Sequence, residues 1–129
     1  MHENYILCFT LSLILLSVTS PAHAETRCGW FENPTPGNAW LTDADGQWVI
    51  STQGTESEVE GDWPSFEGRE GDWVHTNGGS YGYGCVCMKV KTDAATETLL
   101  KIESSRVLPL SVCRTDKDLT EPEHPDFEQ

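Results

Sequence analysis

Apolar and polar residues alternate over short stretches of this chain, and turn residues separate the stretches. The clearest pair is AWLT at 39–42 and QWVIST at 47–52, which flank the turn Asp43-Ala44-Asp45-Gly46. Asp-Gly between two apolar runs is a strong signal for a β-hairpin. We therefore predict a hairpin over residues 39–53.

The stretch GGSYGYGCVCMKV at 78–90 begins within a turn predicted over Asn77–Gly79 and leads into the central strand of the fold, predicted over Ser80–Lys91. Because side chains alternate between the two faces of a strand, its members divide into two sets. One face is expected to carry Tyr81, Tyr83, Cys85 and Cys87. The other face is expected to carry Gly82, Gly84, Val86, Met88 and Val90.

Further strands are predicted over 73–76 and over 99–113, where the pattern breaks near Ser104 and a second short strand holds Pro109 at an edge or bulge. Residues 25–38 predict a short strand and then a loop, in which Pro34, Pro36 and Gly37 preclude regular structure. About six or seven short strands, with turn signals about every 8–12 residues, are typical of small β domains. We predict an all-β fold, a small antiparallel barrel or sandwich stapled by disulfides.

The two ends of the chain differ from this pattern. Residues 6–18 form an apolar run shorter than the roughly 20 residues that span a bilayer, and Ala22-His23-Ala24 follows as a small-x-small cleavage site. Residues 1–24 are therefore predicted to be a signal peptide, cleaved after Ala24. The last ten residues, TEPEHPDFEQ, are acidic and proline-rich, which predicts a disordered tail over 120–129. A single β domain over 25–119 remains, expected in the periplasm or the extracellular space.

The chain is strongly acidic, with a formal net charge of −13 over its 129 residues. The predicted signal peptide contains Glu3 and no Lys or Arg, so the mature chain carries −12. Such a field repels nucleic acid and anionic lipid, and it attracts basic proteins and other cations. We therefore expect no nucleic-acid binding and, after signal cleavage, no membrane span.

Four cysteines remain after cleavage, namely Cys28, Cys85, Cys87 and Cys113. An even number of cysteines in a short exported chain implies disulfide bonds. Direct bonding of Cys85 to Cys87 has unfavourable geometry, which leaves two pairings open. Either Cys28 bonds Cys85 and Cys87 bonds Cys113, or Cys28 bonds Cys87 and Cys85 bonds Cys113. A redox-active Cys85/Cys87 pair is the alternative use of these residues.

No motif of the sequence indicates catalysis. The mature chain has only His75 and His124, and His124 lies in the predicted tail. The Asp43-Ala44-Asp45-Gly46 turn lacks the further ligands of an EF-hand loop, and the cysteine spacing is unlike that of a zinc site. We expect no catalytic residue, no metal and no cofactor.

Tryptophans recur at Trp30, Trp40, Trp48, Trp63 and Trp73. Such residues usually fill the core of a small β domain, whereas exposed tryptophan and tyrosine rings can stack on sugars. The candidate binding residues are those near the glycine–tyrosine stretch and the second tryptophan pair: Trp63, Trp73, His75, Ser80, Tyr81 and Tyr83.

Four stretches carry a resemblance to a family of small exported proteobacterial proteins, domain of unknown function 4087. They are RCGWFENPTPGNAWLTDADGQWVI at 27–50, GDWPSF at 61–66, WVHTNGGSYGYGCVCMKV at 73–90 and LPLSVCRTD at 108–116. The resemblance implies export and a shared fold, and it implies no activity. Residues 78–82 are also similar in composition, although not in order, to the Ser/Gly/Tyr loop that periplasmic inhibitors of c-type lysozyme present to the enzyme.

These features support three hypotheses from different classes. The first is an acidic, non-catalytic binding protein for a basic protein, such as a lysozyme-like enzyme or an antibacterial effector. The second is an envelope module that binds peptidoglycan or another glycan through exposed tryptophan and tyrosine. The third is a thiol–disulfide redox protein that uses Cys85 and Cys87.

Overall fold

The computed structural model describes residues 14, 23–55 and 59–123. Within these residues the prediction of an all-β fold is confirmed, since strands form one sheet and helices are short. The predicted signal peptide lies almost wholly outside the described residues, as do His124 and the end of the predicted tail. The strands are β1 Glu25–Thr35, β2 Asn38–Asp43, β3 Gly46–Ser51, β4 Trp73–His75, β5 Gly82–Asp93 and β6 Thr98–Leu108. A 3-10 turn at Glu70–Asp72 precedes β4, and α1 Leu110–Arg114 follows β6.

The sheet closes into a barrel because β5 pairs with other strands along both of its edges. One edge pairs with β1 from Gly82 to Val90. The other edge pairs first with β4 and then, from Cys85 to Asp93, with β6. The strand order around the ring is β1-β2-β3-β6-β5 and back to β1. This is a Greek-key connection, as in five-stranded barrels such as the OB-fold.

The sheet is mixed, since β3 and β6 meet in parallel at Val49 and Thr98 while the other named strand pairs are antiparallel. A closed ring can be antiparallel at every contact only if its number of strands is even. With five strands, at least one pair of neighbouring strands must run parallel. The parallel contact is short, and the connection between β3 and β4 supplements it. Along β6 the amide of Asp62 donates to the carbonyl of Ile102 (3.0 Å), and the amide of Ile102 donates to that of Glu60 (3.1 Å).

The two faces of the sheet bury different clusters. The barrel interior holds an aliphatic and aromatic core: Phe31, Ala39, Leu41, Trp48, Ile50, Val86, Met88, Val90, Leu99 and Ile102. The opposite face buries Trp30, Tyr83, Cys85 and Cys113 beneath α1 and the chain that follows it. The predicted alternation along the central strand therefore holds from Tyr83 onward.

Two disulfides tie β5 to both ends of the domain, which decides between the two pairings left open by the sequence. Cys28 of β1 bonds Cys87, with Cα atoms 4.0 Å apart in directly paired residues. Cys113 of α1 bonds Cys85, with Cα atoms 5.8 Å apart. Cys85 and Cys87 thus belong to separate disulfides, which removes the basis for a redox pair. Among the described residues no helix has the length and hydrophobicity to cross a membrane.

Two local predictions are wrong. Pro34 lies inside β1, where regular structure was not expected. It sits beyond the last β1–β5 pair and within the shift of register towards β2, so no ladder hydrogen bond needs its missing amide hydrogen.

The region after residue 98 also differs from expectation, since β6 is continuous to Leu108. Glu103 is an extra residue that falls between the pairs Lys89–Ser104 and Val90–Ile102. This β-bulge shifts the alternation of inward and outward side chains by one residue. In the sequence the shift resembled the end of a strand near Ser104. Pro109 then ends the strand and is the N-cap residue of α1, since it has no amide hydrogen for a strand partner. The short strand predicted around Pro109 is therefore replaced by the helix Leu110–Arg114.

Folded contacts continue into the segment predicted as a tail. The carboxylate of Glu121 accepts hydrogen bonds from the hydroxyl of Tyr83 (2.9 Å) and from Nε of Arg114 (2.9 Å). The segment therefore packs on the outer cluster at least as far as Glu121.

Arg27 closes one end of the barrel. Its guanidinium lies 3.9 Å from the centroid of the Trp48 ring, and Nη1 donates to the carboxylates of Asp43 (2.7 Å) and Asp45 (3.1 Å). Nε donates to Glu25 (3.1 Å). The two aspartates of the hairpin turn, Asp43 and Asp45, therefore bind the guanidinium of Arg27.

The disulfide pairing predicts the thiol content of two double variants. In the exported protein, from which the predicted signal peptide and its Cys8 are removed, Cys28→Ala/Cys87→Ala should leave no free thiol, whereas Cys28→Ala/Cys85→Ala should leave Cys87 and Cys113 reduced. Thiol titration of the denatured proteins measures this, and the reverse result would contradict the pairing. Loss of either native disulfide should lower the free energy of unfolding by about 2–5 kcal/mol, measured in urea.

Glu32 predicts a dependence of stability on pH. Burial raises the pKa of its carboxyl above the ordinary 4.5, although Trp40 (2.6 Å) and Thr42 (3.2 Å) donate hydrogen bonds to it. Because the folded state holds the Glu32 proton more tightly than the unfolded state does, this group stabilises the fold at pH below its unfolded pKa. That contribution to the free energy of unfolding is lost as pH rises through the folded pKa.

Urea unfolding of the wild type and of Glu32→Gln at several pH values measures the effect, since other groups cancel in the difference. The wild type should lose stability relative to Glu32→Gln as pH rises from about 4 to 7. A relative gain over the same range would show that the pKa is lowered instead.

Candidate functional site

A cleft of about 860 Å³ opens at the end of the barrel opposite Arg27. The turn between β1 and β2, the end of β3, the connection before β4 and the residues before β5 surround it. We call it the aromatic cleft. Five of the six predicted binding residues line it, namely Trp63, Trp73, His75, Ser80 and Tyr81. The fold therefore brings together two parts of the sequence that were singled out separately.

Phe31 forms the buried floor of the aromatic cleft and is 5% exposed. Its ring centroid lies 6.3 Å from that of Trp63, 6.4 Å from that of Phe66 and 6.2 Å from that of Trp73. The rings of Phe66 and Trp73 are closer still, at 4.5 Å. Offset and edge contacts at such distances are favourable and limit the freedom of each ring. The floor is thus an interlocked apolar surface rather than a set of independent side chains.

Sequence reasoning did not select Phe31 or Phe66 as site residues. Phe66 belongs to the GDWPSF stretch that resembles the family, which was the one available signal. Phe31 follows the buried Trp30 in β1, and only the barrel geometry shows that it faces the open end. Both residues support the cleft through contacts between distant segments.

Two glycines of β5 make room for the cleft-forming segment. A Cβ at Gly84 would overlap the ring of Phe66 and would lie 2.9 Å from the carbonyl oxygen of Asp72. A Cβ at Gly82 would overlap the carbonyl of Val74 and would lie 2.9 Å from the indole nitrogen of Trp73. The face of β5 that lacks side chains therefore permits β4 and the aromatic rings to pack directly on its backbone.

The rim of the cleft is acidic. Glu67 and Glu70 line it, and none of the described lining residues is Lys or Arg. The neighbouring Arg69 forms an ion pair with Asp72 (2.7 Å) and donates to the carbonyl of Val107 (2.9 Å). Its guanidinium is therefore bound elsewhere, and the cleft offers aromatic surface next to carboxylates.

The polar groups of the opposite wall come from β4 and the residues before β5. Nδ1 of His75 lies 3.1 Å from the carbonyl oxygen of Gly79 within the turn 76–81. On the connection before β4, the indole nitrogen of Trp63 donates to the carbonyl of Val59 (2.8 Å), which fixes the orientation of its ring. Ser80 and Tyr81 complete this wall. Among the described residues no group of three or more His, Cys, Asp or Glu could hold a metal ion.

Tyr83, the sixth predicted binding residue, lies outside the cleft. It is 1% exposed, its ring meets Trp30 edge-on at 5.3 Å, and its hydroxyl donates to Glu121. Burial raises the pKa of Tyr83 above its ordinary value, and the carboxylate of Glu121 raises it further. Tyr83 therefore stabilises the outer cluster. Tyr81 precedes β5 and does not follow the strand alternation that was predicted for both tyrosines.

Comparison with known proteins identifies a family. A family model described as "Protein of unknown function (DUF4087)" matches residues 22–120, which is most of the chain. A search of curated proteins and a search of solved structures each found no significant match.

The contact of Phe66 with the β5 backbone predicts unequal effects of two glycine substitutions. Gly84→Ala should displace Phe66 and lower the free energy of unfolding by about 1–3 kcal/mol, as overpacking does. Gly71→Ala is the matched control, since no atom lies within 4 Å of the added Cβ. Urea unfolding and the near-ultraviolet circular dichroism of the aromatic rings measure both effects. Equal behaviour of the two variants would contradict the packing of Phe66 on Gly84.

Proposed function

The chain belongs to the DUF4087 family, and we propose that it is an exported, non-catalytic binding protein that holds a basic protein at its aromatic cleft. One observation carries this proposal. The cleft joins partly exposed aromatic rings to two carboxylates, and no Lys or Arg occurs among its described lining residues. A cation of a partner therefore meets both favourable ring faces and unneutralised charge.

The charge of the whole chain supports the same class of partner. The net charge is −13 for the full sequence and −12 after removal of the predicted signal peptide, and it attracts basic proteins over distances comparable to the Debye length, about 8–10 Å in ordinary salt. Such steering mainly raises the association rate. The cleft then supplies the short-range contacts that long-range attraction cannot give.

Location outside the cytoplasm is supported by the disulfides. Both bonds join residues far apart in the sequence, at separations of 59 and 28 residues. Such bonds persist in the periplasm and in the extracellular space, where thiols are oxidised. The predicted signal peptide points to the same compartments.

Basic proteins that act on the bacterial envelope fit this setting. A lysozyme-like enzyme and an incoming antibacterial effector are the two partner classes we propose. The similarity in composition between residues 78–82 and the loop of lysozyme inhibitors adds support, since Ser80 and Tyr81 of that stretch line the cleft.

A second candidate function is the binding of peptidoglycan or another glycan. The observation that favours it is the presence of Trp63, Trp73 and Tyr81 on a partly open cleft wall. Aromatic faces of this kind stack on sugar rings, and the carboxylates can accept hydrogen bonds from hydroxyl groups.

The test of the first function is complex formation between the exported protein and a panel of cationic muralytic enzymes. We expect binding in low salt that weakens as salt rises, measured by surface plasmon resonance. The variant Glu67→Gln/Glu70→Gln should bind more weakly than Glu97→Gln/Asp118→Asn. This control loses the same charge at exposed sites away from the cleft.

Three results would decide between the candidates. Absence of any complex in low salt would refute the first function, and equal weakening by the two double variants would refute the cleft as its site. Retention on peptidoglycan that Trp63→Ala abolishes, without binding to any basic enzyme, would establish the second function instead.

A further inference from the structure

We infer that the group which the aromatic cleft recognises is the guanidinium of an arginine side chain on a protruding loop of the partner. This inference rests on the proposed function and names its chemistry. It concerns the partly exposed rings of Trp63, Trp73 and Tyr81 and the carboxylates of Glu67 and Glu70.

The opposite end of the barrel already contains this arrangement within one chain. There the guanidinium of Arg27 stacks 3.9 Å from the centroid of the Trp48 ring while Nη1 donates to Asp43 at 2.7 Å. The aromatic cleft presents the same two partners, rings and carboxylates, and the described lining residues include no cation. One barrel end is thus closed by an internal arginine, and the other has the chemistry to accept an external one.

Arginine fits this surface better than lysine does. Its guanidinium is flat, stacks on aromatic faces and donates to carboxylates through two parallel N–H groups. It is also less strongly hydrated than the ammonium of lysine, so less hydration is lost when it contacts a ring. Oε1 of Glu70 accepts a hydrogen bond from the amide of Gly68 (3.0 Å), which fixes the position of the Glu70 carboxylate at the rim.

The dimensions of the cleft indicate a loop rather than a lone side chain. A volume of about 860 Å³ lies within the range of roughly 300–1,000 Å³ that holds drug-sized ligands. The arginine and its neighbouring residues can therefore enter together. The acidic rim disfavours acidic neighbours in that loop.

The probes are three blocked peptides, acetyl-Gly-X-Gly-amide, in which X is arginine, lysine or citrulline. Citrulline has the shape of arginine without its charge, so it separates stacking from electrostatics. Isothermal titration of the exported protein should give the order arginine, lysine, citrulline. Lysine should bind about 3- to 30-fold more weakly than arginine, because its ammonium keeps the charge but cannot stack flat on a ring or donate two parallel hydrogen bonds to a carboxylate.

Two variants locate the site. Tyr81→Leu removes one ring that lies outside the core clusters, and Glu67→Gln/Glu70→Gln removes the rim charge. Each should weaken arginine-peptide binding several-fold, whereas Glu97→Gln/Asp118→Asn should not. The thermal midpoint of each variant shows that it is folded.

The inference and the proposed function fail in different ways. If basic enzymes bind the protein and the arginine peptide, in excess, does not compete with them, the inference is overturned and the function stands. Equal affinity for the three peptides also overturns the inference. So does binding of choline as tight as that of the arginine peptide, because choline is a quaternary ammonium cation that cannot donate hydrogen bonds from its charged group. If the arginine peptide binds as predicted and no basic protein does, the inference stands and the proposed protein partner is refuted.

Discussion

The pairing of β5 with β1, β4 and β6 is the constraint on which the rest of the structure depends. It closes a ring of five strands, and the odd number forces one parallel contact, which is short and needs support from the connection before β4. The same strand carries both Cys85 and Cys87, so the disulfides secure the first strand and the terminal helix to it. A small acidic chain, whose charges repel one another in any compact state, gains from cross-links of this kind.

The two ends of the barrel then differ in chemistry. At one end Arg27 satisfies the carboxylates of the hairpin turn and covers Trp48. At the other end Gly82 and Gly84 leave the backbone of β5 bare, and aromatic rings from the long connection pack there around Phe31. The first end contains an internal cation, Arg27, that pairs with carboxylates of the same chain, whereas no Lys or Arg occurs among the described residues that line the second end. This difference is the physical basis for proposing a basic partner.

Local signals in the sequence predicted a large part of this arrangement. The Asp45-Gly46 turn specified its hairpin, and the cysteines specified two bonds to the central strand although not their pairing. Features that depend on contacts between distant segments were not predictable, such as the phase shift at Glu103 or the place of Phe66 on the cleft floor. Tyr83 was predicted as a binding residue, yet it is buried on the outer face. Its partner there, Glu121, lies near the end of the chain, in a segment whose composition predicted a disordered tail.

The central claim is that the aromatic cleft is the surface that meets a basic partner, and the five tryptophan indole N–H signals test it directly. In a nitrogen-correlated NMR spectrum of the labelled exported protein, addition of a basic muralytic enzyme that binds it should shift the indole signals of Trp63 and Trp73. Those of Trp30 and Trp48, both buried elsewhere, should stay unchanged. Shifts confined to Trp40, which lies on the outer side of β2 beside Glu32, would place the partner on another surface and contradict the account.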